Sequence, residues 1–143
     1  MTTTLPCRSV SIEFVRGFRT LVAALALIGC WAGIGRAADG WLTSYDQALA
    51  TAERTGRPIL TVFTGSDWCL HCRHLEEKVL HTDVFSRWAE DRVVLLMIDL
   101  PQNGISQEER QVRSRVCIKY GVRSFPSTLL IGPDGGRIAG QSG

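Results

Sequence analysis

The stretch Pro58-Ile59-Leu60-Thr61-Val62-Phe63-Thr64-Gly65-Ser66-Asp67-Trp68-Cys69-Leu70-His71-Cys72 decides how the rest of the chain is read. Residues 58–64 form an apolar run that predicts a buried strand. Two cysteines three residues apart follow, and Arg73 to Leu80 has helical character. A Cys-x-x-Cys pair on the first turn of a helix can close a small disulfide ring. The unpaired backbone N–H groups there also favour a thiolate at the first cysteine. That is the chemistry of reversible dithiol–disulfide exchange. The strand–turn–helix setting carries this reading; Cys-x-x-Cys alone is a weaker signal.

Working outward, the flanking segments alternate in period. Ser44-x-x-Gln47 is a capping box, and Tyr45, Ala48, Leu49 and Ala52 recur at helical spacing until Gly56 and Pro58 end the helix. Asp83 to Glu90 predicts a short helix with Val84, Phe85 and Trp88 on one side. The run Val93–Ile98 is apolar throughout, which suits a central strand covered on both faces. Ser106-x-x-Glu109 opens another helix, with Val112, Val116 and Tyr120 on its core stripe and Arg110, Arg113 and Arg115 on a solvated face. Ser124-Phe125-Pro126-Ser127 leads into a strand over Thr128–Ile131. The turn Gly132–Gly136 then gives a short strand around Arg137–Ala139. This order predicts an α/β domain whose mixed central sheet is flanked by helices.

The N-terminus bears on the compartment. Arg8, Arg16 and Arg19 precede an unbroken apolar run of 15 residues, Leu21 to Gly35, and then Arg36-Ala37-Ala38. A basic region, a short apolar core and small residues after it predict a secretory signal over 1–37, with the mature domain over 38–143. The run is short for a spanning helix, which needs about 20 residues, so an uncleaved anchor is the weaker reading. A competing reading is a lipobox, Leu27-Ile28-Gly29-Cys30, which would lipidate Cys30 and attach the protein to a membrane. Export to the periplasm or beyond is common to all three.

Removing 1–37 takes away four arginines and one glutamate from the chain's 16 basic and 14 acidic residues, leaving 12 against 13. The near-neutral balance argues against a nucleic-acid partner. The remaining 106 residues suffice for one domain. They keep three of the five cysteines, Cys69, Cys72 and Cys117, which suggests one close pair and one extra thiol rather than a disulfide framework.

The residues from Phe63 through Cys72, together with Lys119-Tyr120-Gly121-Val122 and Phe125-Pro126-Ser127-Thr128, resemble the thioredoxin-like superfamily, in particular its exported bacterial domains. The resemblance covers essentially all of 38–143. It implies that Cys69 is the attacking thiol and Cys72 the resolving thiol. It also implies that Pro126 is a cis-proline whose loop faces them, with Trp68, His71 and Phe125 contacting or tuning the partner's approach. The implied activity is thiol–disulfide exchange with protein thiols and disulfides or small thiols, reset by an unidentified reductant or oxidant. The cysteine pair serves as the redox centre, and no other cofactor or metal is needed.

Three departures qualify the resemblance. Val62 stands where the family often carries a buried aspartate. Leu70-His71 replaces the usual Gly-Pro; a donor beside the thiolate would make the disulfide more oxidising, whereas a solvated histidine would do nothing. The C-terminal helix that normally covers one sheet face is missing before Gly143, so marginal solubility or self-association is expected.

Different classes of reading remain beside these. One is a binding or scaffold module with a static disulfide. Another is copper or zinc ligation by Cys69, His71, Cys72 and His74, which adjacent helical positions do not readily converge to provide. Haem attachment fails because residue 73 is arginine. His81 reads as a loop residue, and Cys117 as a half-buried structural cysteine.

Overall fold

Ser44 starts the first helix as the sequence predicts, its hydroxyl accepting the Gln47 N–H at 3.4 Å; Gly56 ends it in the left-handed conformation (φ 69°). The computed structural model describes residues 40–143. The export segment expected over 1–37 and the lipobox at Cys30 lie outside the described residues. Within them, the order is α1 (Tyr45–Thr55), β1 (Ile59–Thr64), α2 (Leu70–Leu75), a π-helical turn (Glu76–Leu80), α3 (Asp83–Ala89), β2 (Val94–Asp99), α4 (Gln107–Tyr120), β3 (Ser127–Ile131) and β4 (Arg137–Ser142). No helix among the described residues is long and apolar enough to cross a membrane.

The four strands form one mixed sheet in the order β2-β1-β3-β4. β1 runs parallel to β2, with Ile59 opposite Val94 and Thr64 opposite Asp99, so α2, the π turn and α3 form the crossover a parallel pair requires. β3 returns antiparallel on the other side of β1, with Phe63 opposite Ser127. β4 pairs antiparallel with β3, and Leu42 makes a single parallel bridge to Leu96 at the free edge of β2.

Strand period 2 divides the side chains between two layers. On one face Ile59, Phe63, Val94, Leu96, Ile98, Leu129 and Ile131 meet Ala48 and Ala52 of α1 and Val116, Cys117 and Tyr120 of α4. On the other face Val62 packs with Trp41 and Leu80, joined by Leu75, Phe85, Leu95 and Met97. Tyr120 also ties the β3–β4 turn to the helices. Lys119 Nζ donates to Tyr45 Oη (2.7 Å), which lies 2.8 Å from Tyr120 Oη; Tyr120 in turn donates to Gly135 O at 2.9 Å. Burial and the Tyr45 hydroxyl push the Tyr120 phenol up from its ordinary value.

Several sequence expectations need correction. β2 is covered fully on one face only, because Leu95 and Met97 stay half-buried while Val94, Leu96 and Ile98 are sealed. The core stripe of α4 is Val116, Cys117 and Tyr120; Val112 is exposed, and Cys117 is buried rather than half-buried. The i, i+3, i+4 geometry explains this, since Arg113 replaces Val112 one turn before Val116 and Cys117. Arg113 is consequently no solvated arginine: its side chain is 15% exposed, pairs with Glu109, and donates to Asp99 O at 2.6 Å. On α3, Phe85 and Ala89 turn inward, and Val84 and Trp88 face solvent. Every residue of β4 is exposed, and no helix follows it among the described residues.

Candidate active site

The end of β1 at Thr64 delivers the chain into the turn Gly65–Trp68 and then onto α2. Cys69 is the N-cap of that helix, with extended backbone, and its sulfur accepts the Cys72 N–H at 3.2 Å. Serine and threonine caps use the same geometry; here sulfur takes the role. Cys69 and Cys72 form a disulfide, their Cα atoms 5.3 Å apart. Both are buried, Cys72 at 1% exposure and Cys69 at 6%, so the first sulfur's residue is the less covered of the two. A thiolate formed at Cys69 would face the first-turn N–H groups, which stabilise negative charge.

The turn before Cys69 is fastened to the β2–α4 connection by a set of hydrogen bonds that the sequence does not reveal. Ser66 donates through its N–H to Asp99 Oδ1 (2.9 Å) and through its hydroxyl to Asp99 Oδ2 (2.7 Å). Asp67 accepts the N–H groups of Gln102 (2.8 Å) and Asn103 (3.0 Å). The Gln102 contact, with Asn103 adding to it, holds the Asp67 carboxyl below the usual carboxylate range. Trp68 Nε1 donates to Leu100 O at 2.9 Å. From the other side, Arg110 donates to Gln102 O and Arg113 to Asp99 O, so α4 holds the same connection. The partners of Ser66, Asp67 and Trp68 lie more than thirty residues away in sequence, and no local pattern announces them.

The Phe125–Pro126 peptide bond is cis. Because Ser127 pairs with Phe63, this bond lies just beyond the end of β1 where the Cys69 turn begins. Trp68 and Phe125 meet edge to face at 5.5 Å, linking the two segments across the sheet end. Trp68 is 43% exposed and Leu70 67%, so an apolar rim borders the disulfide. His71 lies exposed on the first turn of α2, with no hydrogen-bond partner among the described residues. His74 is exposed farther along α2, and His81 caps the π turn.

Below the disulfide, Val62 is sealed in the apolar layer. Two residues on along the same strand, the buried hydroxyl of Thr64 donates to Glu76 Oε1 at 2.7 Å, one turn beyond Cys72. Cys117 lies on the opposite face of the sheet, where burial pushes its thiol up to about 11. Among the described residues no cluster of three or more His, Cys, Asp or Glu is grouped as a metal site would be. A groove of about 610 Å³ between α1 and α4, bordered by Thr43, Arg113 and Lys119, contains none of the expected site residues.

Comparison with known proteins agrees with this architecture. The family model for the thioredoxin-like domain matches residues 45–143. The disulfide bond reductase DsbH of Chlamydia pneumoniae is 32% identical over 97 residues, 67% of this chain and 58% of that protein. The thioredoxin-related protein DsbJ of the same organism is 24% identical over 124 residues, 85% of this chain and 36% of that one. The chain therefore spans less than two thirds of either relative. A solved DsbH oxidoreductase structure superposes with a TM-score of 0.66 at 30% identity, covering 71% of each chain. With its sheet order, cis-proline and capped cysteine pair, the chain belongs to the thioredoxin-like domain family.

Proposed function

We propose that this protein is an exported thiol–disulfide oxidoreductase acting on protein or small-thiol disulfides. The observation that carries the reading is the Cys69–Cys72 disulfide at the N-terminus of α2, with Cys69 as cap and Cys72 beneath it. In the reducing direction, the Cys69 thiolate attacks one sulfur of the partner disulfide, and the other partner sulfur leaves as a thiolate. Cys72 then loses its proton and attacks the Cys69 sulfur of the mixed disulfide, releasing the second partner thiolate and restoring the Cys69–Cys72 bond. Two electrons pass from the pair to the partner, and an external dithiol must return them. The reductase name carried by DsbH supports this direction. Trp68, Phe125 and Pro126 frame the approach of an extended partner, and His71 lies exposed on the first turn of α2. Export is supported by the N-terminal sequence and places the reaction outside the cytoplasm.

The test is trapping. Cys72→Ser should accumulate a mixed disulfide through Cys69, and Cys69→Ser should accumulate none. Trapping through Cys72 instead would reverse the roles. A chain that folds normally yet exchanges no faster than free thiol would be a module with a static disulfide.

A further inference from the structure

Helix α3 shows solvent what the sequence pattern assigns to the core. Val84 and Trp88, one turn apart, are 72% and 44% exposed, while Phe85 and Ala89 satisfy the helix's inward contacts. Phe85 stacks flat on Trp41, with ring centroids 6.0 Å apart and an interplanar angle of 9°. It leans on Trp88 at 5.8 Å. Three aromatic rings thus run in file from the start of the described chain to its surface.

Where that file begins matters. Trp41 stands six residues after Gly35, the last residue of the apolar run, a separation of at most about 20 Å of extended chain. Cys30 is eleven residues from Trp41, at most about 40 Å. The chain between either feature and Trp41 is thus long enough for this face to reach a membrane that held it.

We infer that the Val84–Trp88 face of α3 is a bilayer-contact surface, against which the domain rests when its N-terminal segment is retained in the membrane or lipidated at Cys30. This rests on the export reading, with the segment kept rather than removed at Ala38. Tryptophan favours the bilayer interface, since its ring is apolar and its N–H seeks the polar headgroups. The charges of α3 and the following turn are mixed, Arg87 and Arg92 against Asp83, Glu90 and Asp91, so apolar and aromatic area supplies the attraction, not net charge. Placement of the redox site is consistent with this. α3 enters β2 through Val93 N–H to Ala89 O, and Val94 N–H reaches Pro58 O at the start of β1. The disulfide follows the opposite end of β1, about 17 Å away along the strand. The end of α3 that carries Trp88 thus lies near the strand end farther from Cys69.

The experiment uses the full chain with Trp31→Phe, recovered from the membrane fraction and reconstituted in phosphatidylcholine–phosphatidylglycerol vesicles brominated close to the headgroups. Bromine should quench the tryptophan emission, and Trp88→Phe should lose most of that quenching. Val84→Ser with Trp88→Ser should abolish it and leave the rate of exchange with a soluble disulfide unchanged. Equal quenching with and without Trp88 overturns the inference. So does recovery of the protein only as a soluble chain beginning at Ala38. Self-association that Val84→Ser with Trp88→Ser removes, without any quenching, would give the face to a second copy and also overturn it. Loss of exchange activity with quenching intact would instead strike the oxidoreductase reading, so the two fail separately.

Discussion

Gly65→Ala tests whether the indole of Trp68 is held in place or merely rests there. A Cβ at residue 65 would fall on the Trp68 ring, contacting Cε2, Cζ2 and Nε1, so the indole must move. Moving it breaks the hydrogen bond to Leu100 O, a partly exposed one worth about 0.5–1 kcal/mol. It also breaks the edge-to-face contact with Phe125, worth about 0.5–1.5 kcal/mol. The expected loss is therefore about 1–2.5 kcal/mol, which with a typical urea dependence lowers the midpoint by about 1 M. The assay is urea unfolding of the oxidised protein arranged as a double-mutant cycle. In a Trp68→Ala background the alanine at 65 has no ring to displace, so its cost should vanish, and the coupling energy should equal the whole penalty. The thiol exchange rate should fall with Gly65→Ala, since Trp68 adjoins Cys69 directly. If Gly65→Ala costs as much without the indole as with it, the ring is not what requires glycine there, and the reasoning is refuted.

Other expectations follow from single side chains. His71→Gln should leave the reduction potential, measured against glutathione, within about 10 mV, since the ring is exposed and has no partner among the described residues; a disulfide harder to reduce by more than that would show that the ring stabilises the Cys69 thiolate. Thr61 is fully buried, and its hydroxyl finds no partner among the described residues, so Thr61→Val should raise stability by about 1 kcal/mol; a lower urea midpoint would mean that the hydroxyl is satisfied. Cys117 titrates near 11 when folded against an ordinary 9.0, so the unfolded chain releases this proton first as pH rises. Its contribution is complete below about pH 9 and is lost towards pH 11, and Cys117→Ala should flatten that part of the stability–pH profile.

What the sequence by itself determined was local. The caps at Ser44 and Ser106, the glycine stop at 56, the strand before Cys69 and the Cys-x-x-Cys spacing all depend on neighbours within a few residues. Such signals survive in a linear reading because backbone capping and side-chain period act over one turn of helix or two residues of strand. The superfamily resemblance extended that reading to the cis bond at Pro126.

The tertiary structure decided what depends on distant partners. Asp67 and Ser66 are unremarkable loop residues until the parallel pairing of β1 with β2 brings Asp99, Gln102 and Asn103 beside them. Arg113 looks solvated until the packing of α4 beside the end of β2 brings the Asp99 carbonyl to it. The stripes of α3 and α4 were misread for a related reason. An apolar residue such as Val84, Trp88 or Val112 identifies a helix but not the rotation at which it meets the sheet. That rotation is set by which residues fill the space over the strands, Phe85 and Ala89 in one case and Val116, Cys117 and Tyr120 in the other. Packing volume, not hydrophobicity alone, selects the buried side.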